Sequence, residues 1–323
     1  MTGLRIVATA EVPAVARRAF EPLGEIVVDP DDVTAEVLIV RGTALDAEML
    51  SRLRELRAIA RTGAGYDNLD VQAATERGIP IVYAPGVGSQ PIAEGTVALL
   101  LAAAKRLREL GSVVWDGRWS ARYDTAPLDI EGACLGVIGF GSIGRRVARL
   151  CGGLGMEVIA YDPAIEPFAD PHVELVALED LLERADAITL HCELTEGTRG
   201  LVDRRLLARV KPGAILINVA RGQIVESEDV LADALATGHL SAVALDVFPD
   251  EPPDPAHRLY ADPRTICTPH AVGLSVRWNE QVFQSLARDV EALLAGELPA
   301  HVLNPEALTG RPGVGDRLPR RFA

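Results

Sequence analysis

Three polar side chains of the sequence are suited to acid–base chemistry when they act together. Arg221, Glu251 and His270 each lie just beyond a predicted strand, and ligand sites in open α/β sheets gather at the carboxyl ends of strands. Arginine offers a fork of donors for a carboxylate, histidine can donate a proton, and glutamate keeps that histidine charged. Such a set fits hydride transfer to a 2-keto acid, whose carbonyl oxygen must gain a proton. Taken singly, each could instead be an exposed turn residue, a solvated loop residue or a capping histidine.

A glycine-rich motif earlier in the chain predicts a dinucleotide site. The segment Gly139-Phe140-Gly141-Ser142-Ile143-Gly144 follows a predicted strand and opens a predicted helix. In such a motif the first glycine makes the tight turn, the second lets the backbone approach a pyrophosphate, and the third lets the helix lie close to the sheet. Asp162 ends the next predicted strand, where a carboxylate accepts hydrogen bonds from a ribose 2′-hydroxyl and repels a 2′-phosphate. The pattern therefore favours NAD over NADP.

Several short motifs, taken in order, resemble the NAD-dependent D-isomer-specific 2-hydroxyacid dehydrogenases, the family that includes phosphoglycerate dehydrogenase and glyoxylate/hydroxypyruvate reductase. The motifs that carry the resemblance are Ala220-Arg221-Gly222, Leu245-Asp246-Val247-Phe248 with Glu251-Pro252, Thr268-Pro269-His270, the loop Arg61–Asn68 and the ending Asn304-Pro305. The resemblance spans the whole chain. It implies an oxidoreductase that transfers a hydride between NADH and a small 2-keto acid or D-2-hydroxy acid of the phosphoglycerate, hydroxypyruvate or glyoxylate type.

The resemblance also implies roles for individual residues. Arg221 would orient the substrate carboxylate and carbonyl, and His270, paired with Glu251, would donate the proton in reduction and accept it in oxidation. The implied cofactor contacts are Gly139, Gly141, Ser142, Ile143, Gly144, Asp162, Val219, Ala220, Asp246 and Gly273. The implied substrate contacts are Ala64, Gly65 and Arg41. Arg41 could equally be an ordinary exposed arginine, and no metal site is expected.

Short apolar runs alternate with amphipathic segments along the chain, a pattern typical of parallel sheets covered by helices on both faces. We therefore expect an α/β protein with two doubly wound parallel-sheet domains, in which a Rossmann NAD-binding domain is inserted into a flavodoxin-like substrate domain. The expected substrate domain comprises residues 1–98 plus 288–323, and the expected NAD-binding domain comprises residues 99–287. A simple division of the chain near residue 105 is the alternative.

The apolar runs also predict individual elements. The predicted strands are Leu4–Ala8, Glu25–Val28, Val37–Val40, Ala58–Ala60, Ile79–Val82, Cys134–Phe140, Val158–Tyr161, Ala187–His191, Ala214–Val219, Ala242–Val247 and Thr265–Thr268. One long helix over Ile92–Leu110 and a C-terminal helix over Val276–Ala295 are expected near the two crossings between the domains.

Composition and charge narrow the classes of partner. The chain has 323 residues, and its 46 acidic and 32 basic side chains give a formal net charge of −14. Such a surface repels phosphate backbones, and aromatic residues make up only 4% of the chain, so we expect no binding to nucleic acid. The longest apolar run, Val97–Ala104, is far shorter than the ~18 residues that span a bilayer, so we expect no membrane association.

Localisation and assembly are predicted from smaller features. Four cysteines without a C-x-x-C pair favour free thiols in a reducing compartment, and the N-terminus lacks the features of a signal peptide, so a cytoplasmic protein is expected. The loop Gly117-Arg118-Trp119 resembles the segment through which family members dimerise, which implies a homodimer. The length, close to that of the short members, implies that the extra C-terminal regulatory domain of longer members is absent.

Two alternative functions stay open at this point. Relatives that use arginine and histidine also oxidise formate or phosphite; the formate enzymes have glutamine beside the histidine, so Glu251 argues against formate but not against phosphite. Corepressor-like relatives keep the fold and act as NADH-sensing binding proteins without turnover. Reduction of 2-keto acids by NADH distinguishes the three.

Overall fold

The structure of the protein is a computed structural model that describes residues 3–63, 65–165 and 173–309. The described residues of Met1–Gly88 and Leu274–Ala323 form one compact unit, and those of Ser89–Gly273 form a second. The second unit is therefore inserted, along the chain, into the first.

Twelve strands and eleven α-helices are found in the part of the chain that the structure describes. The strands are β1 (Ile6–Ala8), β2 (Ile26–Val28), β3 (Val37–Val40), β4 (Ala58–Arg61), β5 (Ile81–Tyr83), β6 (Cys134–Ile138), β7 (Glu157–Tyr161), β8 (Glu174–Leu175), β9 (Ala187–Leu190), β10 (Ala214–Asn218), β11 (Leu240–Leu245) and β12 (Thr265–Cys267). The helices are α1 (Ala14–Phe20), α2 (Ala47–Arg52), α3 (Val71–Glu76), α4 (Ser89–Ala104), α5 (Leu107–Trp115), α6 (Ser142–Gly153), α7 (Leu178–Arg184), α8 (Arg204–Leu207), α9 (Glu228–Ala236), α10 (Arg258–Ala261) and α11 (Val276–Leu294).

The first unit is built on a parallel sheet in the order β2-β1-β3-β4-β5. This is the flavodoxin-like order that the sequence predicts. Its central strands are buried along their whole length, as in β3, because helices cover both faces of the sheet. Helices α1 and α11 pack against one face, where Phe20, Phe283 and Leu286 are fully buried in a shared core.

The second unit is built on a parallel sheet in the order β12-β11-β10-β9-β6-β7-β8. From β6 the chain winds outward through β7 and β8, and it then returns to the other side of β6 at β9. The order of a Rossmann domain is thus confirmed, with one further strand at the edge. The strand order reverses between β6 and β9, and ligands of such sheets bind outside the carboxyl ends of the strands at that reversal.

Capping side chains explain where several helices begin. The carboxylates of Asp46, Asp70 and Asp203 accept hydrogen bonds from the backbone N–H three residues later, at 2.8, 2.9 and 2.7 Å. The hydroxyl of Ser275 accepts a bond from the N–H of Trp278 at 3.0 Å and starts α11 in the same way. Each cap satisfies a donor that the helix itself leaves unpaired.

The prediction of one long helix over Ile92–Leu110 is wrong, because the chain forms two helices, α4 and α5. Between them Arg106 has a left-handed backbone, with φ of 51°. Its guanidinium binds the carboxylate of Glu109 through two bonds of 2.8 Å. The predicted domain boundaries, after residues 98 and 287, fall inside α4 and α11.

A buried asparagine attaches the C-terminal segment to the first unit. The Oδ1 atom of Asn304 accepts a hydrogen bond from the N–H of Ile81 at 2.7 Å. Its Nδ2 atom donates to the carbonyl of Ile79 and to the hydroxyl of Thr75, both at 3.0 Å. Because Asn304 is almost completely buried, these bonds form away from water.

Candidate active site

An imidazole–carboxylate pair lies beyond the carboxyl ends of β11 and β12. The Nδ1 atom of His270 lies 2.8 Å from Oε2 of Glu251, and Oε1 of Glu251 accepts a bond from the N–H of Phe248 at 3.1 Å. The two side chains are 52% and 40% exposed, so a ligand can reach them. Since Nδ1 is occupied by Glu251, the ring turns Nε2 away from the carboxylate, which is the arrangement an acid–base group needs.

The environment of Glu251 stabilises its charged form. Burial acts to raise the pKa of Glu251, but the hydrogen bond and charge of His270, the N–H of Phe248 and the charge of Arg221 together hold the pKa below its usual value. The carboxylate is therefore ionised throughout the neutral range.

A second carboxylate, Asp246, holds the turn that carries His270. It is 3% exposed, and its Oδ1 atom accepts bonds from the hydroxyl of Thr268 at 2.6 Å and from the N–H groups of Ala271 and Val272 at 2.8 and 3.2 Å. Its carbonyl accepts the N–H of His270 at 2.7 Å. Burial raises the pKa of Asp246, and the hydrogen bonds with Thr268, Ala271 and Val272 only partly oppose this.

The histidine turn is conformationally unusual. His270 has φ of 53°, in the left-handed region that residues other than glycine seldom adopt. The bonds to Asp246 hold the backbone in this state. Residues in such a state cluster at functional sites when the surrounding structure fixes them.

Arg221 follows β10, the strand next to β11. Asn218, at the end of β10, donates to the carbonyl of Arg221 at 2.9 Å and accepts the N–H of Ala220 at 3.0 Å, so a buried side chain shapes this turn. The guanidinium Nη1 atom donates to the carbonyl of Ala220 at 2.7 Å. The positive charge of Arg221 helps to lower the pKa of Glu251. The three predicted catalytic residues thus lie in one unit, beyond adjacent strands.

Sequence reasoning assigned no role to two residues that join the arginine turn to the glutamate loop. A Cβ atom on Gly222 would lie 1.9 Å from the carbonyl carbon of Phe248, so only glycine lets the two backbones pass. The side-chain amide of Gln223 donates to the carbonyl of Pro249 at 2.7 Å. A glycine directly after the arginine was a visible signal for the first contact; nothing in the sequence indicated the second.

The glycine-rich turn has the shape that a dinucleotide needs. Gly139 has φ of 92°, and a Cβ atom on it would lie 2.4 Å from the backbone nitrogen of Cys192, just beyond β9. A Cβ atom on Gly144 would lie 2.2 Å from the carbonyl oxygen of Gly139, so α6 lies directly against the turn. At Gly141 the same position has no atom within 4 Å, which leaves open space at the N-terminus of α6.

Three polar side chains complete this region. Asp162, after β7, accepts the N–H of Phe140 at 2.8 Å through Oδ2, and the N–H of Ala164 at 3.0 Å through Oδ1. The hydroxyls of Ser142 and Ser89 lie 2.9 Å apart. The open position at the helix N-terminus and the carboxylate at the end of the next strand together fit a pyrophosphate and an adenosine ribose. All the predicted cofactor residues lie in the second unit.

The predicted substrate residues lie in the first unit. Ala64 is outside the described residues, and the carbonyl of Gly65 accepts a bond from Nε of Arg61 at 2.8 Å. The guanidinium of Arg41 donates to the carbonyl of Glu11 at 2.6 Å and lies 5.9 Å from the ring centre of Phe283. Burial lowers the pKa of Arg41. Its role towards a substrate stays a prediction.

All four cysteines are free thiols; Cys134 and Cys151 are buried, and Cys267 is exposed. Within residues 3–63, 65–165 and 173–309, no group of three or more histidine, cysteine or acidic side chains is arranged to hold a metal ion. In the same ranges no helix combines the length and the apolar character needed to cross a membrane.

Comparison with known proteins identifies the second unit. The sequence profile described as "D-isomer specific 2-hydroxyacid dehydrogenase, NAD binding domain" matches residues 97–272. The chain is 39% identical over 273 residues to the D-3-phosphoglycerate dehydrogenase of Mycobacterium bovis, which covers 84% of the chain and 51% of that protein. The chain thus spans about half the length of these phosphoglycerate dehydrogenases.

Two other proteins match over most of their own length. The glyoxylate reductase of Korarchaeum cryptofilum is 36% identical over 273 residues, which cover 83% of the chain and 82% of that protein. The crystal structure of the TT0316 protein from Thermus thermophilus superposes with a TM-score of 0.86 at 34% identity, covering 93% of the chain and all of that structure.

Proposed function

The chain belongs to the D-isomer-specific 2-hydroxyacid dehydrogenases, and we propose that it interconverts a small 2-keto acid and its D-2-hydroxy acid with NAD as cofactor. The observation that carries the proposal is the pair of His270 and Glu251, which lie 2.8 Å apart. Glu251 follows β11, and Arg221 follows the neighbouring strand β10. The relatives named phosphoglycerate dehydrogenase and glyoxylate reductase support a substrate of the phosphoglycerate, hydroxypyruvate or glyoxylate type.

In the proposed reaction Arg221, His270 and Glu251 each have a separate role. The guanidinium of Arg221 binds the substrate carboxylate and polarises the carbonyl. In reduction His270 gives the proton of Nε2 to the carbonyl oxygen, and in oxidation it removes the hydroxyl proton. Glu251 stabilises the imidazolium before the transfer. NAD, when bound, supplies the hydride chemistry at the carbonyl carbon.

The cofactor assignment concerns the second unit alone. Gly139, Gly141 and Gly144 with the N-terminus of α6 would hold the pyrophosphate. Asp162 would bind the adenosine ribose, and its negative charge would oppose a 2′-phosphate. We therefore expect NADH to be preferred over NADPH in every assay, and a clear preference for NADPH would contradict the role of Asp162.

The proposal includes a homodimer in the cytoplasm. The stretch from α5 to the 3₁₀ helix Trp119–Tyr123 exposes large apolar side chains, with Trp115 81% and Tyr123 79% exposed. Contiguous exposed apolar groups of this kind mark protein interfaces. Four unpaired thiols suit a reducing compartment.

Turnover of a panel of 2-keto acids tests the activity. Glyoxylate, hydroxypyruvate, phosphohydroxypyruvate and pyruvate are supplied with NADH, and the fall in NADH absorbance is measured. We expect at least one of them to be reduced. If none is reduced while NADH binds, the protein is a cofactor-binding protein without this activity.

His270→Ala tests the acid–base role. We expect kcat to fall by about 10² to 10⁴, the usual contribution of a general acid, while NADH still binds. Glu251→Gln is expected to lower kcat less, because the imidazole stays in place. His301→Ala is the matched control: His301 also pairs with a carboxylate, Asp289, at 3.2 Å, but lies in the first unit. Equal losses in the two histidine variants would contradict the proposal.

A further inference from the structure

A glycine inside helix α4 makes a close contact with the chain beside His270. A Cβ atom on Gly95 would lie 2.5 Å from the Cβ atom of Val272 and 2.9 Å from the carbonyl oxygen of Val272. Glycine inside a helix destabilises the helix relative to alanine. This helix tolerates that cost at the one position where Val272 fills the space a side chain would take.

Gly273, the residue after Val272, makes a similar contact, but here the glycine is in the loop and the side chain is in the helix. A Cβ atom on Gly273 would lie 2.8 Å from Cγ1 of Ile92, one helical turn before Gly95. The segment Ala271–Gly273, which we call the post-histidine segment, therefore lies against one face of α4. At Gly95 the helix supplies the hole and the segment the side chain, and at Gly273 the roles are exchanged.

The opposite side of the post-histidine segment is fixed by Asp246. Its buried carboxylate accepts the N–H groups of Ala271 and Val272, at 2.8 and 3.2 Å. The segment is thus held between a carboxylate and a helix. His270 directly precedes it and has a left-handed backbone with few neighbouring conformations open to it. A displacement of the segment must therefore move the imidazole.

We propose that Gly95 is a positioning residue for His270: the hole at Gly95 seats Val272, and this contact sets where the imidazole lies relative to Glu251 and the substrate. The inference rests on the proposed function, because it concerns the proton transfer assigned to His270. Gly95 touches neither the substrate nor the reacting atoms and acts only through the post-histidine segment.

Gly95→Ala in the whole protein is the first test. The added methyl group pushes the segment away from α4, and we expect kcat to fall at least tenfold with a changed pH profile, since a misplacement of about 1 Å can cost 10²-fold. The control is Gly152→Ala, also a helix glycine, where a Cβ atom would meet nothing within 4 Å. Unchanged kcat and pH profile in Gly95→Ala would overturn the inference.

Rescue separates positioning from general damage. Val272→Gly removes the contact at 2.5 Å and leaves only the one to the carbonyl oxygen. In that background Gly95→Ala is expected to cost several-fold less in kcat than it does alone. An equal loss in both backgrounds would show that Gly95 does not act through Val272. If Gly95→Ala fails to fold, Val272→Ala, which loosens the same contact, is expected to lower kcat and to change the pH profile.

A readout without turnover distinguishes this inference from the proposed function. The imidazole Cε1–H resonance of His270, assigned by its loss in His270→Ala, is expected to shift in Gly95→Ala and not in Gly152→Ala. A wild-type chain that reduces no 2-keto acid would end the proposed function. The resonance would still decide whether Gly95 positions His270, and an unshifted resonance would refute it.

Discussion

His191 and His270 show how burial decides what an imidazole can do. The ring of His270 is half exposed and its Nδ1 atom meets Glu251. His191 follows β9, and its Nε2 atom lies 3.0 Å from the hydroxyl of Thr189. Its Nδ1 atom is buried and has no hydrogen-bond partner among the described residues. Burial lowers the pKa of His191 to about 3, so this ring stays neutral at neutral pH and cannot serve as a proton donor there.

We expect His191 to make the folded state sensitive to acid. Its pKa is lower in the folded state than its ordinary value of 6.5, so unfolding takes up a proton below that pH. The contribution of His191 to the free energy of unfolding is complete above about pH 6.5. It is lost as the pH falls towards 3, by up to about 1.4 kcal/mol per pH unit. Urea unfolding of the wild type and of His191→Gln, from pH 7 to about pH 4.5, measures this. Identical slopes of stability against pH would contradict the assignment.

The two carboxylates of the candidate site differ for a similar reason. Asp246 is buried and its pKa is raised, whereas the pKa of Glu251 is lowered by the partners around it. Asp246 accepts backbone N–H groups and shapes a turn; Glu251 faces the imidazole. The same functional group thus shapes the backbone in one place and, under the proposed function, supports proton transfer in the other.

At the scale of elements, the turn between β6 and α6 separates two uses of glycine. Gly144→Ala places a methyl group 2.2 Å from the carbonyl oxygen of Gly139 and is expected to lower the thermal midpoint as well as NADH affinity. Gly141→Ala meets no atom within 4 Å and has a backbone that alanine adopts freely, with φ of −76°. We expect it to leave the midpoint unchanged and to weaken NADH binding at least tenfold, because the motif leaves this space for the pyrophosphate.

Differential scanning fluorimetry and NADH fluorescence titration measure the two effects separately. Gly153→Ala, which also meets no atom within 4 Å and lies at the far end of α6, is the control for both. Loss of affinity in proportion to loss of stability in both motif variants would contradict the separate roles.

The sequence predicted elements well where burial alone decides them. Strands such as β3 and β9 are apolar runs buried on both faces, so their positions follow from composition. The break between α4 and α5 could not be predicted in this way, since Lys105 and Arg106 are good helix formers and neither glycine nor proline marks the end. The two-residue strand β8 lies at the sheet edge and was too short to leave a pattern.

The candidate site shows the same division. Arg221, Glu251 and His270 were predictable because polar side chains interrupt apolar runs at strand ends. The fit of Gly95 to Val272 was not, because it depends on how a helix and a loop far apart in the chain pack together. Periodicity indicates which residues are buried, but not which atoms meet.

On the scale of the whole molecule, the exposed aromatic stretch predicts the assembly. We expect the wild type to sediment as a dimer and the double variant Trp115→Glu, Trp119→Glu to sediment as a monomer, because charges in an apolar interface stay unpaired. Sedimentation velocity measures this directly. Leu154→Glu, which changes an exposed apolar side chain at the end of α6, is the control and is expected to stay dimeric. A monomeric wild type would refute the assembly.

The insertion of the second unit into the first also determines the order in which the two units can fold during translation. The core of the first unit includes Phe283 and Leu286 of α11. The part of that unit that precedes Ser89 therefore lacks these packing partners until α11 has been synthesised. At about 5–20 residues per second, the roughly 200 intervening residues take on the order of 10–40 seconds. In that interval the whole of Ser89–Gly273 is synthesised. The nascent chain can therefore complete the second unit before α11, the final helix of the first unit, has been synthesised.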